Sequence, residues 1–244
     1  MQNREPLISF TFDDFPRSAL RTAGRILEEH GIAGTYYTSL GLMGQTAPTG
    51  EMFLEEDLAS VLGRGHELGC HTFAHCHAAE TPAPVFEASV MENRRSLELL
   101  LPTAPRFETL SYPIGYPRPG TKTRCARHFE ACRAGGQTYN VDSIDLSLMQ
   151  AFFIEQSRDC PQATTTIIDA ACDAGGWLIF ATHDVCDHPT RYGCTPALFA
   201  HIVQHSARSG ARLLSVSSAL RAIGVTQAGR PTSGRETTVR LGAA

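Results

Sequence analysis

Two histidines, His71 and His75, stand four residues apart in Cys70-His-Thr-Phe-Ala-His-Cys76, and two carboxylates are adjacent in Thr11-Phe-Asp13-Asp14. Imidazoles at i and i+4 fall on one side of a helical turn. Joined by one carboxylate they make a three-ligand set for a divalent cation, with a coordination position left open for water or substrate. With Asp14, His71 and His75 as ligands, a metal-bound water ionises near neutral pH and the cation polarises a carbonyl oxygen. Asp13 is then free to act as general base, a role worth about 10²–10⁴-fold in rate. His183, in Thr182-His-Asp184, is the candidate acid that protonates a leaving amine. The same ligand set can hold non-haem iron for oxygen chemistry. The second carboxylate and the distant histidine favour hydrolysis instead.

These residues need a scaffold, and the chain supplies strands and helices in alternation. Leu7–Phe12 reads as a buried strand with Asp13 and Asp14 at its C-terminal end. Neighbouring strand residues point to opposite faces, so the two carboxylates share a site only if the strand has already ended. Further strands are expected over Gly34–Thr38, up to Cys70, over Glu108–Tyr112, Ala131–Ala134, Gln150–Ile154, Trp177–Thr182 and Arg212–Val216. Helices are expected over Ser18–His30, Glu55–Leu62, Pro82–Leu101, Thr121–Phe129, Thr164–Ala174, Leu198–Arg208 and Ser217–Ile223, with prolines and glycines at their ends. Residues 40–54 read as a glycine-rich loop, and 135–148 as irregular. Seven or eight strand–helix repeats without a linker imply a parallel βα barrel in one α/β domain. It would span residues 1–224, with 225–244 as a C-terminal tail that is flexible or packs on a neighbour. In such a barrel chemistry gathers at the C-terminal strand ends. Asp13, Asp14, His71, His75, Pro113 and His183 all fall there.

Bulk properties exclude several classes. A net charge of −4 gives no reason to expect a nucleic-acid partner. No apolar run approaches the length of a membrane span. No signal peptide is visible, so a cytoplasmic location and free buried thiols are the expectations for the eight cysteines, which form no CxxC pair. Other clusters carry blander readings. His201 and His205 look like a surface pair on a helix, His188 like a solvated loop residue, and Cys70 and Cys76 like filler beside the histidines.

The order Thr-Phe-Asp-Asp, His-Thr-x-x-His, Ser-Tyr-Pro-x-Gly and a strand ending in Thr-His-Asp resembles the polysaccharide deacetylases, the NodB-homology family or carbohydrate esterase family four. The likeness runs from residue 8 to about 220. It implies a distorted (β/α)7–8 barrel and hydrolysis of N-acetyl or O-acetyl groups on a glycan or oligosaccharide. The implied cofactor is zinc first, with cobalt, nickel or manganese as alternatives. By the same resemblance Asp13 is the base, His183 the acid, and Asp14, His71 and His75 the ligands. Thr72 supports the histidine turn, and Tyr112, Pro113 and Ile114 form the substrate and oxyanion side. The sequence departs from the family pattern in three places. Phe15-Pro16-Arg17 follows the first motif where glycine is usual. Ser111 occupies the place of an arginine that contacts the base, with Arg118 as a candidate substitute. The acidic residue that orients the acid histidine has no clear counterpart; Asp142, Asp145 and Asp159 are the candidates. Two other functions stay open: cleavage of a non-sugar C–N amide, such as a formamide or cyclic imide, and a catalytically silent glycan-binding barrel. The oligomeric state is not specified.

Overall fold

The computed structural model describes residues 5–225 and 238–240. The strands in chain order are β1 (Leu7–Phe12), β2 (Thr35–Thr38), β3 (Thr46–Ala47), β4 (Gly50–Glu51), β5 (Glu67–Cys70), β6 (Thr109–Ser111), β7 (Ala131–Arg133), β8 (Ser143–Asp145), β9 (Phe152–Phe153), β10 (Trp177–Thr182), β11 (Arg212–Leu213) and β12 (Thr238–Arg240). The helices are α1 (Arg25–Glu28), entered through a π-helical stretch over Ala19–Gly24, then α2 (Glu55–Gly63), α3 (Ala83–Leu100), α4 (Pro119–Cys125), α5 (Gln162–Asp173), α6 (Pro196–Arg208) and α7 (Val216–Ala222). The main sheet runs β7-β6-β5-β2-β1-β10-β9, with β11 also on β1, and its pairings are parallel. The free edge of β7 is met by the segment before β9: Cys132 N–H donates to Leu146 O at 2.7 Å and Met149 N–H to Cys132 O at 2.9 Å. The strands thus curl into a distorted half-barrel, a single α/β domain.

Strand parity divides the core in two. Ile8, Phe10, Phe12, Leu178 and Phe180 pack outward under the helices. Leu7, Ala131, Trp177, Ile179 and Ala181 belong to the second cluster, on the other face of the sheet. This alternation is what a sheet buried on both faces requires. The inward row is the one that matters for function. Continued past the strand ends, it leads from Thr11 to Asp13 and from Ala181 to His183, and on β7 it ends at Arg133.

The expected elements form with shifts of a few residues at their ends. The strand expected over Gln150–Ile154 shortens to Phe152–Phe153, and that over Arg212–Val216 to Arg212–Leu213. The loop over 40–54 folds into a small antiparallel hairpin of β3 and β4. In the tail, residues 238–240 pair antiparallel with 143–145 of the same chain; 226–237 and 241–244 lie outside the described residues. The cysteines are all free thiols. Among the described residues no helix is long and apolar enough to cross a membrane.

Candidate metal and acid–base site

The carboxylate pair comes together because β1 stops at Phe12. Asp14 and Phe15 then both take left-handed backbone conformations, with φ of 63° and 60°, each a cost of roughly 1–2 kcal/mol. Phe15 stands where the family pattern has glycine, and its burial offsets that strain. Its ring stacks on Phe53 at 4.9 Å and lies 5.0 Å from Tyr36. Its carbonyl accepts from Phe53 N–H at 3.2 Å. The same packing draws the 40–54 loop over the site and brings Thr49 to Asp14, whose Oδ2 accepts from Thr49 Oγ1 at 2.8 Å.

The histidine pair sits on a loop and not on a helical turn. Thr72 and His75 have φ of 59° and 49°, and Thr72 Oγ1 accepts from Cys76 N–H at 2.9 Å. Ser39 Oγ donates to His71 O at 2.8 Å, and Ser89 Oγ accepts from Phe73 and Ala74 N–H. These bonds bring the two imidazole centroids to 5.1 Å. His71 Nδ1 lies 2.8 Å from Ser111 O, so its N–H is committed to that carbonyl and its Nε2 lone pair is free. Asp14 Oδ1 lies 3.4 Å from His71 Nε2 and 3.0 Å from His75 Nε2, yet this buried oxygen has no hydrogen-bond partner of acceptable geometry. One ligand atom from each of the three residues falls within 4.8 Å of the others. An orphaned carboxylate oxygen facing two imidazole nitrogens fits a divalent cation. His71 is buried, whereas His75 is 25% exposed and forms the open side. Burial raises the Asp14 carboxyl, but its contacts with His71 and His75 outweigh that and hold it well below the usual range. Burial lowers His75, and Asp14 more than reverses it, so the net shift is upward. A cation therefore displaces a proton here, and its affinity rises with pH.

The candidate base Asp13 and candidate acid His183 are placed by register. β1 and β10 run in step from Leu7 opposite Trp177 to Phe12 opposite Thr182, and Asp13 N–H donates to Thr182 O at 2.9 Å. Continued one residue, that pairing sets Asp13 beside His183. Burial raises Asp13, but Arg133, then His71 and His183, outweigh it and hold the carboxyl below its ordinary value. The sequence reading missed Arg133. Its Nη2 donates to Asp13 Oδ1 and, at 2.7 Å, to Ser111 Oγ, and its Nη1 donates to Ala134 O at 3.1 Å. The guanidinium is buried over the rings of Tyr37 at 5.1 Å and Phe153 at 5.8 Å. β6 and β7 pair Ser111 opposite Arg133, so the arginine arrives from the neighbouring strand and the small Ser111 gives it room. Arg118 does not take that place; its Nε donates to Ala79 O. The available signal was a lone charge in the apolar strand Ala131-Cys-Arg-Ala134.

The orienting partner of His183 is also not the expected carboxylate. His183 Nδ1 lies 3.1 Å from Tyr192 O. Asp145 instead accepts from Ser147 N–H and pairs with Lys122 at 2.5 Å. In the loop expected to form the oxyanion side, Pro113 O accepts from Ala78 N–H at 3.1 Å, which ties this loop to the histidine loop. Ile114 has a φ of 59° and is exposed. Tyr112, expected on the substrate side, has its ring turned into the core, its hydroxyl donating to Ser147 O at 3.1 Å. His205 pairs with Asp169 at 2.8 Å on the surface.

A family model described as Polysaccharide deacetylase matches residues 1–128. A search of curated proteins found no match. Among solved structures, the chain is similar to the Xyl-CE4 domain of a multidomain xylanase from the hindgut metagenome of Trinervitermes trinervoides. The TM-score is 0.61 at 18% identity, over 91% of this chain and 93% of that one. It is similar to a family 4 acetyl xylan esterase from Clostridium thermocellum in complex with a cobalt ion, with TM-score 0.59 at 18% identity over 90% and 93%. A CE4 family pseudoenzyme from Bacillus anthracis shares the fold with TM-score 0.61 at 10% identity, over 88% of this chain and 66% of that one.

Proposed function

The chain belongs to the polysaccharide deacetylase family, and from that premise we propose that it is a metal-dependent hydrolase removing N-acetyl or O-acetyl groups from a glycan or oligosaccharide. One observation carries the reading: the Asp14–His71–His75 ligand set stands beside a base and an acid that strand register sets next to each other. A divalent cation held by these three residues, with zinc or cobalt the first to try, would supply Lewis acidity at the carbonyl under attack. The protein's own groups do the rest. Asp13, held ionised and aimed by Arg133, takes the proton of the attacking water. His183 gives a proton to the departing nitrogen or oxygen. The backbone N–H at Ile114 would be the donor to the developing oxyanion, a contact worth roughly 3–4 kcal/mol. Pseudoenzymes occur in this family. Against a silent barrel, this chain keeps the ligands, the base and the acid together.

A second reading is a related amidohydrolase acting on a small non-sugar C–N bond, such as a formamide or cyclic imide. It is favoured by the departures beside the base: Phe15 follows Asp14 where the family pattern has glycine, and Ser111 stands in the place of the arginine.

The test is acetate release from chitooligosaccharides, peptidoglycan fragments and acetylated xylan with added zinc or cobalt, against the Asp13→Asn variant. Release by the wild type alone establishes a glycan deacetylase. No release from metal-loaded protein shifts the assignment to the non-sugar amide.

A further inference from the structure

Residues 184–194 form a loop that leaves β10 directly after His183 and returns to the same point. Cys194 N–H donates to Asp184 O at 2.9 Å, and Val185 bridges Cys194 in parallel. Inside it, the buried Asp184 carboxylate accepts from Thr190 N–H at 2.7 Å and Thr190 Oγ1 at 2.6 Å. From outside, Arg158, in the segment after β9, clamps the loop. Its Nε donates to Gly193 O at 2.8 Å, and its Nη2 donates to the carbonyls of both Thr190 and Gly193. Gly193 is required by close approach, since a Cβ there would fall 2.0 Å from Asp184 O.

Between the clamped Thr190 and Gly193 stand Arg191 and Tyr192, and Tyr192 is the one that meets His183. Its N–H donates to Thr190 Oγ1 at 3.2 Å, its carbonyl faces His183 Nδ1 at 3.1 Å, and its ring centroid lies 5.6 Å from the imidazole. We infer that this loop is the aiming device of His183: Asp184, Thr190 and Arg158 are positioning residues that hold the Tyr192 carbonyl on Nδ1 and leave Nε2 free for proton transfer. A carbonyl accepts from Nδ1–H whether the ring is neutral or charged. The ring therefore keeps one direction through a cycle in which Nε2 loses and regains its proton. This is where the orienting carboxylate expected from the sequence is replaced. Asp184 acts at one remove, by building the loop, and not on the imidazole.

The inference rests on the reading of His183 as the acid, and the experiment separates the two. The zinc-loaded full chain, labelled with ¹⁵N-histidine, is examined by two-bond ¹H–¹⁵N correlation at about pH 8, above the ordinary histidine range. His183→Gln supplies the assignment. The wild type should show His183 protonated on Nδ1 alone. Arg158→Gln and the milder Thr190→Val should give mixed tautomers, and Thr190→Ser should restore the single one. In the acetate-release assay the first two should lose on the order of 10- to 100-fold in kcat, as for a misplaced group, with KM little changed. An unchanged nitrogen pattern in both variants overturns the inference. A changed pattern with unchanged turnover upholds the aiming device and removes His183 from the chemistry.

Discussion

The two halves of the site are built by different means. The metal half, Asp14 with His71 and His75, is made of short stretches whose backbones leave the strand and turn back within a few residues. Left-handed residues at 14, 15, 72 and 75 do that work. The acid–base half, Asp13 with Arg133 and His183, contains no local motif. Its members lie at or one residue past the ends of three strands and meet because parallel register carries inward-facing positions to one level. A local motif is held by its own turn. A register-built site is held by the whole sheet, so distant packing changes reach it first.

The largest effects should separate those halves cleanly. His71→Ala should strip the cation, read as loss of bound metal by elemental analysis, and abolish turnover with it. Asp13→Asn should keep the metal while turnover drops about 10²–10⁴-fold. Metal retained in the first, or activity retained in the second, breaks the division of labour.

Next in size is Arg133→Ala. It leaves the buried Asp13 carboxylate without its counter-charge, a change that costs about 3–5 kcal/mol. The expected outcome is a marked fall in thermal midpoint with activity lost. Adding Ser111→Arg to that variant returns a guanidinium from the adjacent strand and should recover part of both. A single Arg133→Ala variant with unaltered stability and turnover would deny the arginine its role.

How much of this was legible in the sequence follows the same division. The turns announce themselves: Asp13-Asp14 after an apolar strand and His71-x-x-x-His75 after another can be read from residue types alone. The face each residue takes is partly readable: on β1, Ser9 and Thr11 alternate with Ile8, Phe10 and Phe12. Arg133 could not be assigned, because its partners Asp13 and Ser111 are 120 and 22 residues away and only register joins them. Tyr192 was hidden for another reason. It acts through its carbonyl, which every residue carries, so no side chain marks the position.

The metal half can be probed more gently at Thr49. Thr49→Val keeps the shape and removes the hydroxyl that fixes Asp14 Oδ2. Loss of such a supporting bond weakens metal binding by about 10–100-fold, so competition with a chelator should show that shift, while turnover at saturating metal stays near wild type. Equal affinity in both proteins would make Thr49 a bystander.

The smallest expected effect lies behind the acid–base half, at Glu155. Burial pushes its carboxyl up to about 8; the charge of Asp13 adds to the rise, and Arg158 and Arg133 oppose it. Its Oε2 is buried without a hydrogen-bond partner. The unfolded value is near 4.5, so between about 4.5 and 8 the folded chain holds a proton that the unfolded chain has released. Stability from this group is therefore complete below the unfolded value and is lost as pH rises through the folded one. Gln matches the protonated acid and does not titrate. Glu155→Gln should accordingly be near neutral at pH 5 and stabilising, on the order of 1–3 kcal/mol, above pH 8. Thermal midpoints of the two proteins across that range give the answer. Parallel curves would show that Glu155 is ionised in the fold, and a gap closing toward high pH would reverse the sign. A gap that opens with pH would show that the register-built half keeps a neutral acid beside its ionised base.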